Sequence, residues 1–267
     1  MKPRVAVIGA TGKQGGAVVT ALLRRAIFEV VAVVRDLHSG AARSLAERGV
    51  ELREGNLDSA CSLEQAFSGC HGVFLVTDLV SCKGDRTREL QQGKNASDAA
   101  NKAGVQHIVF SSLEDPRPGL SEDMPSVHNG LKLPGKMVKV DIEAYIKKTG
   151  PPASYLITSA YYENYFAWYR YQLQADGTYL LRTNVSTKPF CQNAVADIAE
   201  SAAVAFERRK QVLGKQIPVK TRPVQDRLVL GVPFREWAIA NKEALLARLK
   251  EATHVDSNSY VPYGFSH

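Results

Sequence analysis

Three glycines near the N-terminus recur at intervals of three residues, inside the stretch Val5-Ala6-Val7-Ile8-Gly9-Ala10-Thr11-Gly12-Lys13-Gln14-Gly15-Gly16. A short apolar run precedes them and a helix-like apolar stretch follows, the order in which a strand turns into a helix. Gly9 permits the tight turn, Gly12 lets the main chain approach a ligand with no Cβ in the way, and Gly15 allows the helix to pack closely on the strand. The amides of such a turn, with the positive end of the helix dipole behind them, suit a diphosphate. A glycine triad alone is weak evidence, but in this setting it predicts a dinucleotide site over Gly9, Ala10, Thr11, Gly12, Lys13, Gln14 and Gly15. The competing reading is a glycine turn that holds no ligand.

A second group closes the next apolar run, Val33-Val34-Arg35-Asp36. An acid at this strand end would accept hydrogen bonds from both ribose hydroxyls of NAD and repel a 2′-phosphate. Arg35 offers a planar, permanently charged fork suited to that phosphate, so the expected cofactor is NADP(H). Two alternatives stay open: Asp36 would meet the ribose if the strand ran one residue longer, and Arg35 could be a solvated strand terminus. After the third strand comes Gly55-Asn56-Leu57-Asp58. Asn56 or Leu57 is expected against the adenine, and Asp58 is expected to cap the helix that follows. Thr77 and Asp78, after the fourth strand, belong near the nicotinamide-side ribose.

One expected group is missing. Short-chain dehydrogenases place a tyrosine and a lysine four residues apart on one helix, so that the cation lowers the phenol pKa and a proton can pass to the substrate. None of the ten tyrosines has a lysine four residues on. Lys136 opens the helix where the pair would sit, and Lys132 occupies the place of the tyrosine. Lys136 is left as the catalytic candidate. Ser111-Ser112 ends the fifth strand, either as a substrate-orienting serine or as a turn.

The elements that must carry these groups alternate from the start. Apolar strand-like runs fall at Arg4–Ile8, Val30–Val34, Val50–Arg53, Val73–Val76, His107–Phe110 and Ser154–Ile157. Helical patterns fall between them at Gly16–Arg25, Ala41–Arg48, Leu63–Phe67, Arg86–Ala103 and Lys136–Lys148, with Gly104 as a left-handed cap and Glu114–Pro134 irregular. Six strands alternating with helices predict an α/β protein, a Rossmann-type doubly wound parallel sheet, over residues 1–158. Residues 159–267 are expected to form a small second lobe that returns in part to the sheet. It begins with Tyr161–Tyr171, seven aromatics in eleven residues, read either as a binding platform or as packing of the lobe. Asp176-Gly177 marks a turn before Thr178–Leu181, Val195–Arg209 and Phe234–Glu251 read as helices, and Gln216–Val219 as a last strand.

Composition narrows the rest. The net charge of +7 comes from 34 basic and 27 acidic residues. The densest basic runs, Arg24-Arg25, Lys147-Lys148 and Arg208-Arg209-Lys210, lie at predicted helix C-termini, where cations complement the helix dipole. No nucleic-acid surface is expected. Nor is a membrane span, since no apolar run approaches the roughly 18–20 residues required. The N-terminal segment has no signal-peptide pattern, so the expected location is cytoplasmic, with the nucleus allowed. Cys61, Cys70, Cys82 and Cys191 have no ligand-like spacing and are expected as free thiols, with no metal site. Sequons at Asn95 and Asn184 mean little without a secretory route.

Taken together, these features resemble the NmrA-like family of atypical short-chain dehydrogenase/reductases. The resemblance rests on the glycine loop running into Gln14-Gly15-Gly16, on Val-Val-Arg35, on Phe74-Leu-Val-Thr77-Asp78 and on Gln92-Gly93-Lys94. It continues through His107-Ile-Val-Phe-Ser-Ser-Leu-Glu114, the Lys136 helix with its Ile-Glu-Ala-Tyr segment, and Tyr161-Tyr162-Glu163-Asn164. It implies NADP(H) held by the glycine loop, Arg35, Asn56-Leu57, Thr77, Lys136 and the four residues Tyr161, Tyr162, Glu163 and Asn164. It also implies a regulator that senses the NADPH/NADP+ ratio through conformation, homodimer formation or a regulatory protein partner. The alternative is an NADPH-dependent reductase of quinones or carbonyls that uses Lys136 in place of the Tyr–Lys pair. In one respect the chain departs from the family: Thr221–Val232 leads directly to Pro233–Trp237, where the pattern has a longer helical stretch, so the second lobe is expected to be truncated.

Overall fold

Strands such as Glu29-Val-Val-Ala-Val-Val34 carry almost no polar alternation, which suits a strand covered on both faces. In the computed structural model this is how they are used. It describes residues 2–120, 133–167, 170–173, 179–182, 192–219 and 238–250. The first half runs β1 (Arg4–Ile8), α1 (Lys13–Arg25), β2 (Glu29–Val34), α2 (Gly40–Glu47), β3 (Glu51–Glu54), α3 (Ala60–Phe67) and β4 (Gly72–Leu75). Next come α4 (Arg86–Lys102), β5 (His107–Leu113), a 3-10 turn at Arg117–Gly119, α5 (Pro134–Thr149) and β6 (Ala153–Thr158). Short elements follow: β7 (Ala160–Tyr161), α6 (Asn164–Ala167), β8 (Arg170–Leu173), β9 (Tyr179–Arg182) and β10 (Gln192–Asn193). The last are α7 (Val195–Glu207), α8 (Arg209–Val212), β11 (Gln216–Pro218) and α9 (Lys242–Lys250).

Seven strands pair in parallel in the order β11-β6-β5-β4-β1-β2-β3. Because side chains alternate along a strand, each strand feeds two cores. Val5, Val7, Val30, Ala32 and Val34 pack on one face with Val18 and Leu22 of α1 and Ile198, Ala202 and Phe206 of α7. Ala6, Ile8, Val31, Val33, Val73, Leu75, Ile108 and Phe110 pack on the other face with α3, α4 and α5. The edge strand β3 reads Glu-Leu-Arg-Glu and, among the described residues, pairs only with β2. Its charges make it a poor template for a further strand.

The alternating half follows the sequence expectation, and Gly104 takes the left-handed conformation (φ +71°) that ends α4. Several boundaries move. α1 begins at Lys13, so Gly15 and Gly16 lie inside the helix. β5 continues to Leu113, so Ser111 and Ser112 are strand residues and the turn reading falls. The predicted Val195–Arg209 helix breaks at Arg208 into α7 and α8. α7 packs on α1, and β11 adds to the sheet beside β6. Arg24 and Arg25 of α1 pair with Glu200, and Arg25 also pairs with Glu207, 3.1 Å away. Lys132, Asp176-Gly177, Asn184, Cys191, Thr221–Val232 and Pro233–Trp237 lie outside the described residues. Among the described residues no helix is long and apolar enough to cross a membrane.

Candidate functional site

β4 and β2 lie on either side of β1, and the chain winds outward from β1 in both directions, so the order of connection reverses there. In a doubly wound sheet this reversal opens a crevice at the C-terminal ends of the strands. The glycine loop occupies it. Gly9 has φ +67°, a conformation that costs a residue with a Cβ free energy, and its carbonyl accepts the Gly12 amide at 2.8 Å. Gly12 is the N-cap of α1 and supplies no side-chain cap. The amides of the first turn of α1, Lys13 to Gly15, therefore keep their donors for a ligand. A Cβ on Gly15 would overlap the Gly9 carbonyl and sit 2.8 Å from the Ala10 nitrogen, so only glycine lets the helix approach this turn.

Arg35 stands exposed just after β2, and among the described residues it makes no hydrogen bond or ion pair. Asp36 is engaged elsewhere: its carboxylate accepts the His38 amide at 2.8 Å, and its carbonyl accepts the Ser39 hydroxyl at 3.0 Å. Arg35 is thus the exposed cation at this strand end, near enough to Asp58 to help lower that carboxyl's pKa.

Beyond β3, the Asn56–Asp58 turn is held from α4. Arg88 grips Asp58 with two bonds (3.1 and 2.6 Å), Gln92 donates to Asp58 at 2.9 Å, and Asn95 donates to the Leu57 carbonyl at 2.9 Å. These donors, Arg88 first, pull the Asp58 pKa down to about 2. The expected capping role of Asp58 is corrected: Ser59 is the N-cap of α3, accepting from the Ser62 amide. Aspartate here is worth more as the anion that fastens the turn. Asn56 keeps an exposed position and accepts the Asp58 amide.

At the end of β4, Thr77 is buried and Asp78 is exposed. Asp78 folds its carboxylate onto the Val80 and Ser81 amides and the Ser81 hydroxyl. On α5, Lys136 is exposed in the first turn, whereas Lys139 is buried and reaches Thr77 and Glu89. The Ser112 hydroxyl is committed to Glu143 at 2.5 Å, which in turn accepts from Lys147 and Gln216, both at 2.6 Å. Within Tyr161–Asn164 the residues part company. The Tyr161 hydroxyl accepts a hydrogen bond from Gln14 of the glycine loop, and burial raises its pKa. Tyr162 packs instead with Ala194, Tyr165, Phe166, Ala238 and Leu245. Glu163 accepts the Val195 amide at the start of α7, at 3.1 Å. Asn164 opens α6.

The glycine loop, Arg35, Asn56 and Thr77 follow the C-terminal ends of the neighbouring strands β1, β2, β3 and β4, and Tyr161 reaches the loop through Gln14; the structure adds Glu89, Arg88 and Lys139, which the motifs did not single out, and shows Gln92 holding Asp58. A signal for two of these was present. Glu89, Gln92 and Ser97 interrupt the buried face that α4 otherwise builds from Gly93, Ala96, Ala99 and Ala100; buried polar groups are mostly paired, and Glu89 and Gln92 are, with Thr77 and Asp58.

The fold is that of the Rossmann-type doubly wound α/β proteins. A family model described as NmrA-like family matches residues 1–225, and the chain belongs to that family. An NmrA-like family domain-containing protein of Dictyostelium discoideum is 30% identical over 177 residues, covering 64% of this chain and 55% of that protein. The NmrA-like family domain-containing oxidoreductase lnaB of Aspergillus flavus is 38% identical over 112 residues, 40% of this chain and 33% of its own length. The chain thus spans about half or less of these relatives. Among solved structures, NmrA, a negative transcriptional regulator in complex with NADP, superposes with a TM-score of 0.67 at 22% identity, covering 93% of this chain and 81% of that one.

Proposed function

We propose that this chain is an NADP(H)-binding regulatory protein whose conformation or partner binding responds to the NADPH/NADP+ ratio. The observation that carries the cofactor assignment is the exposed Arg35 guanidinium just after β2, which makes no hydrogen bond or ion pair among the described residues, at the same sheet edge as the first-turn amides of α1. The residues fit the group. The glycine turn admits a diphosphate, Arg35 matches a 2′-phosphate, and Asp36, the group that would select a free ribose, is spent on its own turn. Gln14 supports the fit, since its buried Oε1 has no partner among the described residues while its amide nitrogen holds Tyr161. When bound, the nicotinamide supplies or accepts a hydride. The rest of the reading concerns what this chain contributes to that chemistry, and it contributes little. No Tyr–Lys pair is present, Ser112 is tied to Glu143, and Lys139 is tied to Thr77 and Glu89. Groups committed in this way bind and orient; they do not pass protons to a substrate. A regulatory protein partner or a second copy of the chain is the expected recipient of the signal.

The test is a titration of NADP+, NADPH, NAD+ and NADH against thermal stability, repeated with Arg35→Asp. A ligand that binds only the folded state raises stability by mass action. Preference for the phosphorylated pair, lost in the variant, is the expected result; equal response to all four overturns the assignment. The second reading, an NADPH-dependent reductase of quinones or carbonyls, is favoured by exposed Lys136 at the mouth of α5 and by the oxidoreductase name of the Aspergillus relative. Steady NADPH consumption that Lys136→Ala abolishes would establish it in place of the first.

A further inference from the structure

Asp58 is an anion placed beside the strand end that carries Arg35. β2 and β3 finish side by side, with Val34 opposite Glu54, and the Gly55 amide donates to the Val34 carbonyl at 2.9 Å. Arg35 and the Gly55–Asp58 turn therefore leave the sheet together. The hydrogen bonds from Arg88 and Gln92, with a weaker contribution from the charge of Arg35, hold the Asp58 carboxyl at a pKa of about 2, so it is ionised at neutral pH. A bare carboxylate in this place would repel a 2′-phosphate and compete with it for the Arg35 fork. In the structure Asp58 does not take Arg35, because both of its oxygens are already engaged. Arg88 donates Nε to Oδ1 at 3.1 Å and Nη2 to Oδ2 at 2.6 Å, and Gln92 adds a bond to Oδ1 at 2.9 Å. Arg88 and Gln92 stand four residues apart on α4, hence on one helix face, which lets both close on a single anion. Asp85, the N-cap of α4, accepts the Arg88 amide at 3.1 Å and so fixes the position from which the guanidinium reaches out.

The Arg88–Asp58 pair is 45% and 37% exposed, and an ion pair so open to water adds little to stability. Its consequence lies in the charge it occupies. With Arg88 present, the three side chains Arg35, Asp58 and Arg88 carry one net positive charge; without it they carry none. We propose that Arg88 is a positioning residue that determines cofactor specificity: by occupying Asp58 it leaves the Arg35 guanidinium to the 2′-phosphate, and so sets the preference for NADP(H) over NAD(H). The inference rests on the NADP(H) reading above and deepens it. Selectivity then belongs to the set Arg35, Asp58 and Arg88 rather than to one arginine at a strand end, and two of the three lie outside the strand that the sequence motif marks.

The experiment measures the ratio of the NAD+ and NADP+ dissociation constants by titration calorimetry on the full chain. Arg88→Met is expected to lower the preference for NADP+ about fivefold, the factor that one exposed ion pair sets, and adding Asp58→Asn is expected to restore it. The loss should shrink in high salt, which screens exposed charges. In an Arg35→Ala background, Arg88→Met should leave the ratio where Arg35→Ala put it, because the effect runs through Arg35. A brace that only holds the turn would weaken both dinucleotides alike. An unmoved ratio therefore overturns the inference, as does a lowered ratio that Asp58→Asn fails to restore. A further loss in the Arg35→Ala background overturns it too, since Arg88 would then meet the phosphate directly. If Arg88→Met does not fold, Arg88→Gln keeps a donor for Asp58 and drops the charge, with the same expected and refuting results. Wild-type protein that binds NADP+ no better than NAD+ refutes the NADP(H) reading itself, an outcome recognised before any variant is made.

Discussion

Gly15→Ala is a substitution whose sign tests the account of the glycine loop. Gly15 lies in α1, and alanine in a helix interior is ordinarily worth about 0.5–1 kcal/mol over glycine. Propensity alone therefore predicts a stabilised protein. The structure predicts the reverse, because the added methyl would overlap the carbonyl carbon and oxygen of Gly9 and lie 2.8 Å from the Ala10 nitrogen. These are backbone atoms of a turn whose Gly9 already has φ +67°, so no side-chain rotation relieves the overlap. Overpacking of this kind costs about 1–3 kcal/mol, or more where the main chain must move. Set against the propensity gain, the net is a loss of about 1–2 kcal/mol, or a drop of several degrees in melting temperature for a domain this size. Gly40→Ala, at the first position of α2 with no atom within 4 Å of the new Cβ, is the control and should be neutral or slightly stabilising. Urea and thermal melts of both variants, with and without NADPH, read the effect. A Gly15→Ala protein more stable than wild type, with undiminished NADPH stabilisation, would refute the claim that α1 needs glycine to reach the turn.

Three further perturbations have defined outcomes. His107 is fully buried, with its Nε2 2.9 Å from the Ser154 hydroxyl, and burial lowers its pKa from 6.5 to about 3. The unfolded chain then binds a proton that the folded chain refuses, so this contribution is complete above pH 6.5 and is lost as pH falls towards 3. Against the wild type, His107→Gln should show a pH slope of stability shallower by up to about 1.4 kcal/mol per unit in that window; parallel curves would contradict the assignment. Gly93 sits where α4 crosses α5, and a Cβ there would lie 2.6–2.8 Å from three carbons of Ile142, so Gly93→Ala should cost about 1–3 kcal/mol in the wild type and much less in an Ile142→Ala background, which removes all three carbons. Cys82 is buried with its thiol pKa raised to about 11, so iodoacetamide followed by mass spectrometry should label exposed Cys61 well before it; equal rates would show that the corner after Thr77 opens readily.

The sheet was legible in the sequence because its signal is local. A run such as Val30–Val34 suits a strand covered on both faces of a parallel sheet, and Gly9, Gly12 and Gly15 mark a turn where backbone must come close to backbone. Arg35 was legible for the same reason, since its position at a strand end follows from counting along the run. The walls of the site were not, because they arise from residues brought together across long stretches of chain: Asp58 with Arg88 and Gln92, Thr77 with Glu89 and Lys139, Gln14 with Tyr161. Asp58 shows how spacing misleads. It stands just before a helix, as a cap should, yet Ser59 can cap from one position later, which leaves the carboxylate to Arg88 thirty residues on. Lys136 and Lys139 show the same limit on a helix. They are separated by one turn, so sequence position assigns both to the same region of α5, and only the packing of α5 on α4 and β5 decides which of them is buried. That difference carries functional weight. Lys139, tied to Glu89 and Thr77, is committed within the protein, whereas Lys136 is not buried. A reductase would need, in addition, a proton donor free to move, and exposed Lys136 is the residue of α5 placed to provide one.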